Sequence, residues 1–130
     1  MKEITTGVKH TLQTTVTPDK LARAMKSGEL PVFATPAMAA LMEETAAALL
    51  KPFLDEGETS VGTALNLVHT AATPAGLAVT AEAEIVSVDR RRVSFHIVVR
   101  DPVEEIGRAE HDRFVVNAEK FLAKADSKKA

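Results

Sequence analysis

The segment PAMAALMEETAAALL, from Pro36 to Leu50, constrains the fold more than any other part of the chain. Its only polar residues are Glu43, Glu44 and Thr45. A helix with so little polar circumference needs protein packed against most of its sides. Thr35 and Pro36 supply its start, with threonine as N-cap and proline at the first helical position, where the missing N–H costs nothing. Pro52 and Gly57 mark its end. The rest of the chain has to provide the wrapping.

It does so with strands. Residues 7–17 (GVKHTLQTTVT) alternate loosely and are rich in β-branched side chains, which reads as a first strand. Pro18 and Asp19 open a short helical turn to about Met25, followed by a loop, SGELP, at 27–31. Four strand-like runs follow the long helix, at 59–70, 77–88, 91–100 and 105–117. In the second of these, Leu77, Val79, Ala81, Ala83 and Ile85 face one way and Thr80, Glu82 and Glu84 the other. In the third, Val93, Phe95, Ile97 and Val99 alternate with Arg92, Ser94, His96 and Arg100. Both patterns belong to half-buried antiparallel strands. The expected architecture is α+β: a curved antiparallel sheet of about five strands around one long central helix, the last four strands forming a meander. No repeat or linker divides residues 1–130, so one domain is expected, with 122–130 as a frayed helical tail. A small curled sheet leaves an edge strand, and pairing edges across a two-fold axis covers it, so a homodimer is expected.

Composition narrows the function. A formal net charge of -2 leaves no basic footprint for nucleic acid. The absence of cysteine excludes disulfides, thiolate metal sites and a cysteine nucleophile. The N-terminal MKEITTGVKH lacks the apolar centre of a signal peptide, and no apolar run approaches the roughly 18 residues that span a bilayer. A soluble, cytoplasmic protein is expected. With no Trp or Tyr and only 5 Phe, its core must be aliphatic.

Three residues qualify for chemistry. In SVGTALNLVHTAATPAG, from Ser60 to Gly76, a strand ends at a histidine and breaks into a Thr/Ala/Pro/Gly turn. Alternation puts Val61, Thr63, Leu65, Leu67 and His69 on one face, so His69 looks toward the packed interior. An imidazole at the margin of an apolar surface can give or take a proton near neutral pH, although a lone histidine there also serves as a satisfied structural residue. Thr35 lies at the positive end of the helix dipole, a location suited to a developing oxyanion as well as to simple capping. Glu43 lies two turns further along the helix, where burial would raise its pKa; alternatively it joins Glu44 in a solvated stripe. His10 and His96 belong to polar faces, and His111 shares a face with Gly107, Ala109, Arg113 and Val115, where packing is the simpler role. No histidine pair has metal-ligand spacing, so neither a metal nor another cofactor is expected. Arg90, Arg91 and Arg92 read as a solvated hairpin tip, with contact to substrate phosphates as the alternative.

Taken together, PVFAT (31–35), LMEETA (41–46), VGTALNLVHTAATPAGLAVT (61–80), EEIGRAEHDRFVV (104–116) and NAEKF (117–121) resemble the fluoroacetyl-coenzyme A thioesterase family of hot-dog-fold thioesterases. The similarity runs from about residue 30 to 121 and is carried most specifically by HTAATP with the upstream GTA. The resemblance implies a dimer with active sites at the protomer interface. It places the family's catalytic threonine, glutamate and histidine on Thr35, Glu43 and His69. It also implies substrate-binding roles for Gly62 near the thioester carbonyl, Arg113 in the acyl pocket and Phe33 at the pocket mouth. One departure stands out. The family's fluoroacetyl-specific enzyme carries an additional phenylalanine in its lid segment, where ungapped comparison places Glu29 in SGELPVFAT. A glutamate cannot form the same apolar gate, so selectivity for fluoroacetyl groups does not carry over.

The function expected is hydrolysis of a short-chain acyl-CoA, with His69 as general acid/base and Glu43 either attacking the carbonyl or orienting water. Thr35 would position them, and the Gly62 backbone could offer an oxyanion N–H. Two rivals are a hot-dog hydratase or dehydratase, against which the FAT, LME and HTAATP set argues, and a non-catalytic acyl-CoA-binding module.

Overall fold

A computed structural model describes residues 1–129 of the chain. Five strands, β1 (Lys9–Thr15), β2 (Glu58–His69), β3 (Ala78–Asp89), β4 (Arg92–Arg100) and β5 (Glu105–Asn117), form one antiparallel sheet around a long helix. Short α1 (Ala22–Met25) and the long α2 (Thr35–Leu50) precede β2, and α3 (Ala118–Asp126) follows β5. The segment expected as a frayed tail from residue 122 continues as helix to Asp126 and as a 3-10 turn to Lys129, while Ala130 lies outside the described residues.

Strand limits match the alternation within a residue or two, but the topology differs. The sheet order is β1-β3-β4-β5-β2. Only β3, β4 and β5 form a meander; β2 pairs with β5, and the 70–77 connection then carries the chain to β3 on the far side. Alternation reports which face a residue occupies and not which strand lies beside it. The crossing segment is anchored on the chain entering α2: the Phe33 N–H donates to the Thr73 carbonyl at 2.8 Å, and Val32 bridges Pro74. This crossing brings the end of β2 to the start of α2.

The core is aliphatic, as composition requires. Met38, Met42, Ala46 and Leu50 of α2 are fully buried against Val79, Ala81, Ala83 and Ile85 of β3 and Val93, Phe95, Ile97 and Val99 of β4. At about 25 cal/mol per Å² removed from water, this burial dominates the stabilisation. The buried hydroxyl of Thr45 is satisfied by donating to the Leu41 carbonyl one turn back, at 2.7 Å. The expectation that α2 is wrapped on most sides holds, with one side left open: Thr35, Pro36, Ala40, Glu43 and Glu44 are exposed.

The expected phase of β2 is also broken. Gly62 pairs with Arg113 but Ala64 pairs with Asp112, so Thr63 is an extra residue, a β-bulge. Directly opposed residues share a sheet face, and on β5 the buried set is Gly107, Ala109, His111, Arg113 and Val115. Thus Ser60 and Gly62 face inward before the bulge, and Leu65, Leu67 and His69 after it. Val61 and Thr63 do not share the face of His69.

Candidate active site

Thr35 stands at the first position of α2, and the preceding Ala34 occupies the cap position without any side-chain cap bond. The Thr35 hydroxyl is therefore not capping the helix, as its position beside Pro36 led one to expect. It meets the imidazole of His69 instead, Oγ1 to Nδ1, at 2.9 Å. A hydroxyl can accept from Nδ1–H, leaving Nε2 with the lone pair of a general base, and keeps that bond when Nε2 has taken a proton and can donate it as a general acid. Both proton directions are available from one contact.

His69 Nε2 is buried with no hydrogen-bond partner. Burial holds the imidazole pKa below its ordinary 6.5, favouring the neutral ring from which a general base starts. Phe33, itself 1% exposed, packs edge-on against this ring with centroids 6.3 Å apart. Beside them opens a cavity of about 310 Å³ lined by Val32, Phe33, Thr35, His69, Ala71 and Ala72 among others. Its walls are more apolar than polar, with Ser27 and Thr70 beside the threonine–histidine pair.

Glu43 is not at this pair. It sits over the middle of β2 with a second group of residues. A Cβ built on Gly62 would lie 2.5 Å from Glu43 Oε1, 3.3 Å from His111 Cε1 and 3.4 Å from Arg113 Nη1. Gly62 thus leaves the space into which a carboxylate, an imidazole and a guanidinium converge. The glycine, expected beside a thioester carbonyl, stands here against the Glu43 carboxylate.

Arg113 is only 7% exposed, and its Nε donates to Ser60 Oγ at 2.9 Å and its Nη2 to the Ser60 carbonyl at 3.1 Å. Burial lowers its pKa, and the charge of Glu43 works in the opposite direction. His111, 1% exposed, lies within 3.3 Å of Arg113 Nη1 through its Nε2. Sequence reasoning passed over Ser60 and assigned His111 to packing. The one available signal was the inward phase that His111 shares with Arg113.

Other polar contacts join neighbouring strands and turns. Across the strands His96 meets Glu110 at 2.9 Å. Arg91 donates to Glu58 at 3.1 Å, Arg92 to Asp89 at 3.4 Å, and Arg90 holds a positive φ at the hairpin tip. Glu29 is exposed on the loop before Phe33. Among the described residues, no group of three His, Asp or Glu side chains is arranged to hold a metal, and no helix is long and apolar enough to cross a membrane.

With this geometry in view, the likeness to known proteins is specific. The family described as fluoroacetyl-CoA-specific thioesterase matches residues 16–119. The fluoroacetyl-CoA thioesterase of Streptantibioticus cattleyicolor is 43% identical over 128 residues, covering 94% of this chain and 92% of that protein. A crystal structure of the fluoroacetyl-CoA thioesterase superposes with a TM-score of 0.92 at 41% identity, over 98% of each chain. A thioesterase superfamily member from Thermus thermophilus gives a TM-score of 0.92 at 27% identity, over 99% of this chain and 96% of that one. A hot-dog-like protein from Thermanaerovibrio acidaminovorans, at 21% identity and a TM-score of 0.87, shares the fold. The chain has the hot-dog fold and belongs to the fluoroacetyl-CoA-specific thioesterase family.

Proposed function

We propose that this protein hydrolyses a short-chain acyl-CoA thioester to the free acid and the thiol, in sites completed across the interface of a homodimer. The observation that carries the reading is the Thr35–His69 contact of 2.9 Å beside a largely apolar cavity. In that arrangement His69 transfers protons, taking one from water and giving one to the departing thiolate. Thr35 holds the ring, and Phe33 fixes its plane.

Glu43 enters from the partner. Within one chain it lies over Gly62, seven positions before His69 on a strand that rises about 3.3 Å per residue, too far to act with that histidine. The outer edge of β2 is unpaired because β2 ends the sheet. Isologous pairing of two such edges runs them antiparallel, which sets the middle of one β2 alongside the His69 half of the other. The exposed Thr35–Glu44 side of α2 then also meets the second chain. Glu43 of the partner would orient water or attack the carbonyl, with Arg113 lending positive charge.

The short acyl group proposed follows the family to which the chain belongs. It need not be fluoroacetyl, since the loop before Phe33 presents the exposed carboxylate of Glu29 rather than an apolar gate.

Thiol release from a panel of acyl-CoA substrates tests the reading. The wild type should hydrolyse at least one of them, and His69→Ala should lower the rate about 10²- to 10⁴-fold. Rates no faster than buffer for the whole panel would leave an acyl-CoA-binding module. Mixing and refolding His69→Ala with Glu43→Gln then tests the shared site: each mixed dimer keeps one intact site, and about a quarter of wild-type activity should return. Failure to regain activity in a verified mixed dimer would return Glu43 and His69 to separate roles.

A further inference from the structure

We propose that His111, held as the neutral Nδ1–H tautomer, is a positioning residue that holds the Arg113 guanidinium toward the Glu43 carboxylate. The inference rests on the catalytic role given to Glu43 above, but its geometry is independent of it. His111 Nδ1 lies 2.7 Å from the carbonyl of Ala64, the residue at which register resumes after the bulge. A carbonyl only accepts, so Nδ1 carries the hydrogen. On the other side of the ring Nε2 lies 3.3 Å from Arg113 Nη1, and a guanidinium only donates, so Nε2 carries the lone pair. The two partners together specify one tautomer and exclude the imidazolium, whose second N–H would point at an N–H of Arg113.

The rest of the cluster reads the same way. Phe95, opposite His111 on β4, packs against the ring with centroids 5.9 Å apart and holds its plane. Ser60 takes Arg113 Nε and Nη2, and His111 takes one hydrogen of Nη1. That leaves the second Nη1 hydrogen for the space over Gly62 where Glu43 Oε1 lies. Without the imidazole acceptor, Nη1 has no partner on its inner side and the guanidinium can turn about the Ser60 contacts.

Three charged groups bear on the ring: Arg113 and Asp112 on β5 and Glu43 on α2. Burial is the largest influence and disfavours the cation, Arg113 adds to that, and the two carboxylates oppose it. Acid that protonates His111 therefore removes the support of Arg113 and withdraws positive charge from beside Glu43.

Two substitutions separate positioning from packing. An asparagine amide reaches where Nδ1 lies and keeps the bond to Ala64, whereas a glutamine amide reaches where Nε2 lies and offers an oxygen to Arg113. His111→Asn should lower kcat about 10- to 100-fold with KM little changed, since a misplaced catalytic group costs rate rather than ground-state binding. His111→Gln should retain kcat within about fivefold of wild type. Equal kcat for His111→Asn and wild type, or equal losses in both variants, would overturn the proposal. A long-range ¹H–¹⁵N correlation spectrum of the wild-type protein gives a readout that needs no turnover. It should show His111 neutral and protonated on Nδ1 at pH 7, and an Nε2–H tautomer or an imidazolium would sink the assignment even if no thioester is cleaved.

Discussion

Two polar groups lie on the inner face of β2, and they are built on opposite plans. At the end of the strand, Thr35 and His69 make a single contact beside an open cavity, and the distal ring nitrogen is left without a partner. In the middle, Arg113 and His111 are buried and their nitrogens bonded, three of them through Ser60 and Ala64. The first is a pair with unused capacity; the second is a satisfied network that directs one hydrogen outward. A reacting group has to retain bonding capacity, and a supporting group has to spend it. The difference accords with the roles proposed for the two imidazoles on neighbouring strands, proton transfer for the partly buried His69 and support for the buried His111.

Each group also has a glycine, and the two glycines fail differently. Gly62→Ala places a methyl 2.5 Å from Glu43 Oε1, the tip of a flexible, exposed side chain that can swing aside. The expected result is a kcat loss of about 10- to 100-fold, with unfolding free energy within about 1 kcal/mol of wild type. Unchanged kcat would show that the carboxylate need not stand over Gly62. Gly107 lies opposite His69, and a Cβ there would meet Met38 Sδ at 2.5 Å and the backbone oxygen of Val68 at 2.9 Å. Methionine can bend but a strand carbonyl cannot, so Gly107→Ala should cost about 1–3 kcal/mol of stability by denaturant unfolding. A neutral result would mean that the β2–β5 ladder yields at the His69 end, and the contrast between a rigid and a yielding glycine would fall.

The smallest effect is on pH. Burial depresses the pKa of both His69 and His111 below 6.5, so the folded chain binds fewer protons than the unfolded chain in the range between the depressed values and 6.5. Stability should be level above that range and decline as pH falls through it. A second decline belongs to Glu58, whose carboxyl is held down to about 2 by the Asp55 backbone N–H and the terminal amino group; its contribution, present above 4.5, is lost between there and about 2. Thermal melts at steps of pH check both. A melting temperature that stays constant from pH 7 to 5 would show that neither imidazole is desolvated enough to matter.

The amino-acid pattern carried the elements well and their assembly less well. Alternation in β3 and β4 located those strands within a residue or so, because one face is buried from Val79 to Ile85 and from Val93 to Val99, although the register of β3 shifts after Ile85. It could not show that β2 lies beside β5, since neighbour choice depends on contacts far apart in sequence. It missed the shift at Thr63 because TAL reads as uninterrupted strand. For the site, Thr35 and His69 were legible as residues but not as partners, and a capping role was the local reading of threonine before proline. His111 was set aside since a buried histidine gives no sign, in sequence, of what its nitrogens touch.

The extra residue at position 63 gives β2 two phases. On one side of it, small residues at 60 and 62 make room inward for the arginine and the carboxylate; on the other, leucines and the histidine fill inward space. A uniform strand would have to present one of these sets to the solvent. Were Thr63 to pair in place of Ala64 and flatten the bulge while the Ser60–Gly62 register holds, Leu65, Leu67 and His69 would turn outward together, and Thr35 would lose its imidazole without any change to either residue. The contact of Thr35 with His69 thus depends on a register set at Thr63, far along the strand from both side chains.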